Sequence, residues 1–393
     1  MRKPIHGSGF HPIHAALIAL AGAALFAAAE AGAQGYGFAV PGSYGLKIYK
    51  TEYSLYPFVQ VYLRTFDAQM QPLVNLNEMN VGLMVRGRPY DPMKRQYGIQ
   101  SIRQREEATR TVIVIDASKS MALTPFEDAL KAAIRFIDSK RPQDEVAVLS
   151  IRDTKVGYDL VSEFERDPRA LVRRIADIKA DGMKTRIYDS IAAAMQMCGM
   201  SAQGSVRSSD YVVSCSILVM SDGRDEGSSL SRDELMGRIS SLTIPVPIYS
   251  LAYSRVDPSH FKNLEALSKN SFGVYYNVGE TTEQMQRIVE HVQNILQSDY
   301  VVTFRSYIEP DGERYNVKIG VEYPSGSGKY VYDDTFFEAI QPPPVPKVEA
   351  ALRAFNQRIR RLPGDEMPYT KMPDWQDPES PASGISPVVM PAQ

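Results

Sequence analysis

Apolar and polar positions alternate with two different periods along this chain, and the change of period divides it. Between about residues 110 and 297, short apolar runs are separated by amphipathic stretches of helical period. The runs cover residues 111–115, 146–149, 212–220, 244–251 and 274–278. Short apolar runs bounded by polar loops read as buried strands. The helices show themselves by their faces. Phe126, Leu130, Ala133, Ile134 and Ile137 form one stripe, and Met285, Ile288, Val289, Val292, Ile295 and Leu296 form another. Thr124-Pro125-Phe126-Glu127 reads as a capping box with proline in the first turn, Thr281-Thr282-Glu283-Gln284 opens the later helix, and a further helix is expected from Ser231. Strands alternating with helices predict an α/β fold with a doubly wound, mostly parallel sheet.

In the flanks the period drops to two. Val59, Val61 and Leu63 alternate with Gln60, Tyr62 and Arg64, a Gln/Asp/Pro turn follows, and residues 74–83 read as the next strand. After the last helix, residues 300–304 read as a strand and Glu309-Pro310-Asp311-Gly312 as a turn. Tyr315, Val317, Ile319, Val321 and Tyr323 then alternate with polar residues, residues 324–328 turn, and residues 330–337 read as another strand. Neither flank has enough strands to bury a two-sided core. The two are expected to close one β-sandwich, built from segments 34–109 and 299–340, with the α/β unit of residues 110–298 inserted between them.

The ends of the chain have a different composition. Arg2 and Lys3 precede an apolar stretch at residues 15–29 that is too short to span a bilayer comfortably, and Ala31-Gly32-Ala33 fits a small-x-small cleavage site. Residues 1–33 therefore read as a secretory signal, with an uncleaved anchor as the alternative, and the mature chain is expected in the periplasm or outside the cell. The last segment, 341–393, holds 11 of the 26 prolines and the only tryptophan, Trp375. Apart from one candidate helix at 348–361, that composition predicts extended or disordered chain.

Charge and histidine content exclude several functions. A net charge of −2 gives no footprint for nucleic acid or an anionic membrane surface. His6, His11 and His14 lie in the first 14 residues, leaving only His260 and His291, both read as surface residues, for the rest of the chain. There is no histidine cluster for zinc and little basis for a Ser-His-acid triad. Gly326-Ser327-Gly328-Lys329 is not a phosphate loop, because Tyr323 and Tyr330 stand where glycine and Ser/Thr are needed.

The chemistry concentrates after the first buried strand. Asp116-Ala117-Ser118-Lys119-Ser120 offers one carboxylate and two hydroxyls in a loop, hard oxygen donors suited to Mg²⁺, Mn²⁺ or Ca²⁺. Asp116 and Asp222 both fall at carboxyl ends of strands, where ligands bind in such sheets. The run resembles the Asp-x-Ser-x-Ser element of the metal-ion-dependent adhesion site in von Willebrand factor type A domains. Asp181-Gly182-Met183-Lys184-Thr185 resembles the family's glycine-rich loop and ligand threonine, and Leu218-Val219-Met220-Ser221-Asp222-Gly223 its next strand and second aspartate. The resemblance implies a complete site made of Asp116, Ser118, Ser120, Thr185 and Asp222. Lys119, where the family most often has glycine, and Lys184 are departures that bear on affinity. The stretch from Phe66 to Val74 more loosely resembles bacterial proteins in which an Ig-like unit precedes a type A domain.

What the resemblance implies is an exported interaction module that recognises an Asp or Glu of a partner protein through the bound cation, with no catalytic residues. Two alternatives remain open: a metal-assisted hydrolase using Asp225 or Glu226 as base, and a structural envelope protein. Cys198, near the end of the helix after Thr185, and Cys215, near the start of the strand leading to Asp222, are both expected at the sheet edge opposite the metal. Export permits a disulfide between them, and free buried thiols are the alternative.

Overall fold

The fold is a β-sandwich interrupted by an α/β unit. In a computed structural model, residues 44–346 are described, apart from 69–70, 95, 200–211, 243, 254–257, 279–281, 325 and 345. The expected signal at 1–33, the candidate helix at 348–361 and Trp375 lie outside the described residues. Among the described residues, no helix is long and apolar enough to cross a membrane.

The chain starts with β1 (Tyr44–Glu52), β2 (Phe58–Asp67), β3 (Val81–Val85), β4 (Arg88–Tyr90) and β5 (Tyr97–Ser101), and ends with β12 (Tyr300–Arg305), β13 (Arg314–Glu322) and β14 (Tyr330–Glu338). These strands interleave in two antiparallel sheets, ordered β1-β2-β12-β5 and β14-β13-β3-β4. β12 inserts between β2 and β5, with Val302 opposite Val61 and Ile99, and β13 pairs with β3 through Ile319 and Leu83. Leu46, Val61, Leu83, Val302, Ile319 and Phe337 meet in the core between the sheets. One strand expectation in the sandwich changes. Residues 71–80 are irregular, and β3 begins only at Val81, because Pro72, Asn75 and Asn77 break the ladder and Asn75 takes a positive φ. The structure also adds β1, β4 and β5.

The α/β unit runs β6 (Ala108–Asp116), α1 (Thr124–Ser139), β7 (Glu145–Ile151), β8 (Tyr158–Glu165), α2 (Pro168–Ala176), α3 (Ile187–Cys198), β9 (Val212–Ser221), α4 (Arg232–Ser241), β10 (Ile248–Ala252), α5 (Phe261–Asn270), β11 (Tyr275–Asn277) and α6 (Thr282–Leu296). Its sheet has the order β11-β10-β9-β6-β7-β8. All neighbours are parallel except β7 and β8. Period-two alternation divides β6 between two cores: Ile113 and Ile115 pack under α1, α2 and α6, and Val112 and Val114 under α3, α4 and α5. At α1 the expected capping box does not form. Leu123 is the N-cap, at φ 71°, Thr124 is already helical, and no side chain caps the first turn. The run at 244–251 becomes a strand only from Ile248.

Cys198 and Cys215 form a disulfide with Cα atoms 5.6 Å apart. It joins the end of α3 to the amino-terminal half of β9. The sandwich and the α/β unit are clamped by Arg64 of β2. Its guanidinium makes two 2.9 Å hydrogen bonds to the Asp299 carboxylate and a third, also 2.9 Å, to the Tyr249 hydroxyl of β10. Tyr62, Ile102, Val213 and Val301 form a small apolar cluster at the same junction.

Candidate metal centre

The sheet order places β6 beside β9, the point at which the chain's winding changes direction. Crevices form outside the carboxyl ends of strands at such points. β6 ends in Asp116, and β9 ends in Ser221 with Asp222 next.

Asp116 is fully buried. Its Oδ1 accepts the Ser118 backbone N–H at 3.0 Å and its Oδ2 accepts the Ser221 hydroxyl at 2.6 Å. Ser221 in turn accepts the Gly223 N–H at 3.0 Å. Burial, reinforced by the negative charge of nearby Asp222, pushes the Asp116 carboxyl up to about 6, although the bonds from Ser221 and Ser118 oppose the shift. Ser118 is buried and Ser120 exposed, and their hydroxyls lie 2.9 Å apart. Asp222 is half-buried and accepts the Arg224 N–H at 3.0 Å.

Thr185 reaches the same edge on the loop before α3. That loop is tied to the Asp116 loop by Gly182 N to Ala117 O (3.0 Å) and Lys119 N to Gly182 O (2.8 Å). A Cβ at Gly182 would come 3.2 Å from the Ala117 carbonyl oxygen, so glycine permits the close approach. On the other side, the Thr185 carbonyl accepts the Glu226 N–H at 2.7 Å. The three loops carrying the five expected ligands are therefore laced together. The Thr185 hydroxyl is buried and has no hydrogen-bond partner among the described residues. Lys119 and Lys184 are both exposed, and Lys119 places its ammonium 2.9 Å from the Met183 sulfur.

The residues that hold these loops are mostly ones that the motif does not name. Ser221 precedes Asp222, and its position at the strand end was the only sequence signal for its role. Asp225 Oδ1 accepts the Ile187 N–H at 2.9 Å at the start of α3, and also accepts the Ser228 hydroxyl at 2.5 Å. Glu226 pairs with Arg224 at 2.9 Å. Asp189 accepts the Ser229 and Leu230 N–H groups at 2.8 and 3.0 Å, and Arg186 binds Asp189 through Nε at 2.8 Å. His291 is half-buried on α6 beside the Tyr276 ring, 5.9 Å between centroids, and its own pKa is lowered by burial.

Residues 111–224 match the family model for the von Willebrand factor type A domain. The matched residues lie within the inserted unit, whose parallel-rich sheet is consistent with the type A fold. Solved structures to which the chain is similar include the SpRpn10 VWA domain, at 15% identity over 45% of this chain and 93% of that one, with a TM-score of 0.33. A von Willebrand factor type A structure from Catenulispora acidiphila is 11% identical over 83% of this chain and 79% of its own, with a TM-score of 0.40. The vWF domain of the type V pili tip protein Mfa5 from Porphyromonas gingivalis is 15% identical over 49% and 97%, with a TM-score of 0.34. No curated protein sequence matches the chain.

Proposed function

We propose that this chain is an exported protein-binding module whose type A domain recognises a partner's carboxylate through a divalent cation, most naturally Mg²⁺, with Mn²⁺ or Ca²⁺ as substitutes. The observation that carries this reading is the Thr185 hydroxyl. It is buried without a partner among the described residues, on a loop laced to both aspartate loops. An unpaired buried hydroxyl is unfavourable by roughly 1–3 kcal/mol, and a cation would supply the missing contact. The donor chemistry agrees: two carboxylates and three hydroxyls, all oxygen, suit Mg²⁺ rather than zinc or copper.

Asp116, Ser118, Ser120, Thr185 and Asp222 would hold the ion, which when bound supplies a concentrated positive charge that attracts an acidic ligand. The chain's own groups prepare the site. Ser221 and the Ser118 N–H hold the Asp116 carboxylate in place, and the Arg224 N–H does the same for Asp222. Exposed Lys119 and Lys184 add positive charge beside these loops that steers an acidic partner. Export is supported by the leader-like start of the sequence and by the Cys198–Cys215 disulfide, which suits an oxidising compartment.

A hydrolase would need Asp225 or Glu226 as base. Asp225 caps α3 and Glu226 pairs with Arg224, so both carboxylates are engaged in holding the loop. The test is titration of Mg²⁺ and Mn²⁺ into wild type and Asp116→Ala, with pull-downs from envelope extract in the presence and absence of EDTA. Metal binding and an EDTA-sensitive partner, both lost in Asp116→Ala, are expected. Negligible metal binding by both proteins with no EDTA-sensitive partner would refute the reading. Mn²⁺-dependent hydrolysis lost in the same variant would favour the enzyme.

A further inference from the structure

The outward face of the second sandwich sheet carries a row of exposed aromatic rings. Tyr330, Tyr332 and Phe336 are 38%, 49% and 47% exposed on β14, an edge strand. Side chains alternate across a strand, so these three share the solvent face while Val331 and Phe337 point into the core. The Tyr330 and Tyr332 rings stack with centroids 5.7 Å apart. Tyr332 lies across Gly320, where a Cβ would come within 2.5 Å of the ring. Gly82 stands opposite Gly320 in the register, and Met84, paired with Pro89, continues the face. Cations accompany the rings: the Lys318 ammonium lies 4.7 Å from the Tyr332 centroid and the Arg314 guanidinium 5.2 Å from that of Phe336. Asp334, between the two rings on the strand, accepts from the Asn316 amide at 3.3 Å. Exposed aromatic rings grouped among polar residues mark an interaction surface, here in two parts on either side of Asp334.

The chain carries a segment suited to that surface. β14 ends at Glu338, two residues past Phe336, and the described residues end at Pro346. In the sequence beyond, Pro363, Pro368, Pro373 and Pro378 recur every five residues. Asp365, Glu366, Asp374, Asp377 and Glu379 lie among them against a single Lys371, together with Trp375. Proline-rich segments dock on rows of aromatic rings because their extended form is already populated and little ordering entropy is lost. Their carboxylates would meet Lys318 and Arg314, and Trp375 offers a further ring to the same cations.

We propose that residues 363–381 dock within the same molecule on the Tyr330–Tyr332–Phe336 face. The tether is long enough. The row from residue 330 to 338 is about 27 Å long at ~3.3 Å per residue. With residues 348–361 as the helix expected from the sequence, at ~1.5 Å per residue, the 17 residues from Pro346 to Pro363 still span about 31 Å, longer than the row. A tether of this length gives an effective concentration of about 1 mM, so a segment binding as a free peptide with a Kd of about 0.1 mM would be roughly nine-tenths docked.

Trp375 is the only tryptophan, so its fluorescence reports this segment alone. In the purified full chain, acrylamide should quench Trp375 several-fold less than it quenches a synthetic peptide of residues 363–381, and the emission should shift to the blue. Tyr332→Ser/Phe336→Ser should return both readings to those of the free peptide, and Lys318→Glu should do so in part. Circular dichroism verifies that each variant is folded. Protection that does not depend on protein concentration supports docking within one molecule. Three results would overturn the proposal: quenching of wild type equal to that of the peptide, protection unchanged in both variants, and protection that grows with concentration, which would make a second copy the occupant.

Discussion

Replacing Asp116 with asparagine should stabilise the metal-free protein at neutral pH and abolish its response to Mg²⁺. Burial and the Asp222 charge raise the Asp116 carboxyl from 3.8 to about 6. A folded pKa above the unfolded one means that the fold prefers the protonated form. The resulting stability is complete below about pH 4 and is lost as the pH rises through about 6. Above that range the metal-free fold holds an ionised, buried carboxylate at a penalty of about 3 kcal/mol, from roughly two units at ~1.4 kcal/mol each. Asparagine removes the charge and keeps an acceptor for the Ser118 N–H. Its amide group would face the Ser221 hydroxyl, which then loses its acceptor, and this offsets about 1 kcal/mol. A net gain of about 1–2 kcal/mol raises the melting temperature by roughly 2–8 °C for a unit of this size. The assay is thermal denaturation in EDTA at about pH 7.5 and about pH 4.5, and with Mg²⁺ at the higher pH. The gain should disappear at the lower pH, where wild-type Asp116 is already protonated, and Mg²⁺ should raise the melt of wild type alone. A variant that melts below wild type in EDTA at neutral pH would refute the reasoning. An equal gain at both pH values would assign the effect to packing instead of charge.

Arg64→Met strands the buried Asp299 carboxylate and should destabilise the protein by about 3–5 kcal/mol in urea denaturation, with Asp299→Asn in the same chain recovering most of the loss; no recovery would mean that the pair is not the clamp. Replacing both Cys198 and Cys215 with alanine should lower stability by about 3 kcal/mol, the loop-closure effect expected for a separation of 17 residues, read from the denaturation midpoint of oxidised protein. Gly223→Ala places a Cβ 2.6 Å from the His260 carbonyl oxygen at a backbone φ of +78°, and should lower stability by roughly 1–3 kcal/mol and weaken Mg²⁺ binding in the same titration, because Asp222 is its neighbour.

Local pattern determined a good deal of this protein. Buried runs such as residues 111–115 and 212–220 read as strands of a two-sided sheet, because they are short, rich in β-branched residues and largely apolar on both faces. The stripes of α1 and α6 follow from helical period in the same way, and the strand-end positions of Asp116 and Asp222 were legible because a run of apolar residues stops there. Where a signal was half-buried or split, it failed. β8 is an antiparallel edge strand whose Asp159, Ser162 and Glu163 mask its alternation, and residues 74–83 look like a strand until their backbone turns at Asn75. The Thr124 capping box was sound as local chemistry, yet Leu123 is the N-cap, Thr124 is already helical and no side chain caps the first turn. The disulfide stood open between two states until α3 and β9 brought Cys198 and Cys215 within 5.6 Å. Only the tertiary structure interleaved β12 with β2 and β13 with β3, since strand pairing across more than 200 residues depends on which faces can be buried together and not on any short stretch. Likewise, the motif names five oxygen ligands, but the burial of Asp116, its bond to Ser221 and the unpartnered hydroxyl of Thr185 arise from three loops closing over one another. Local composition sets which element forms and which donors it carries; desolvation and hydrogen-bond satisfaction belong to the assembled neighbourhood, which no single segment contains.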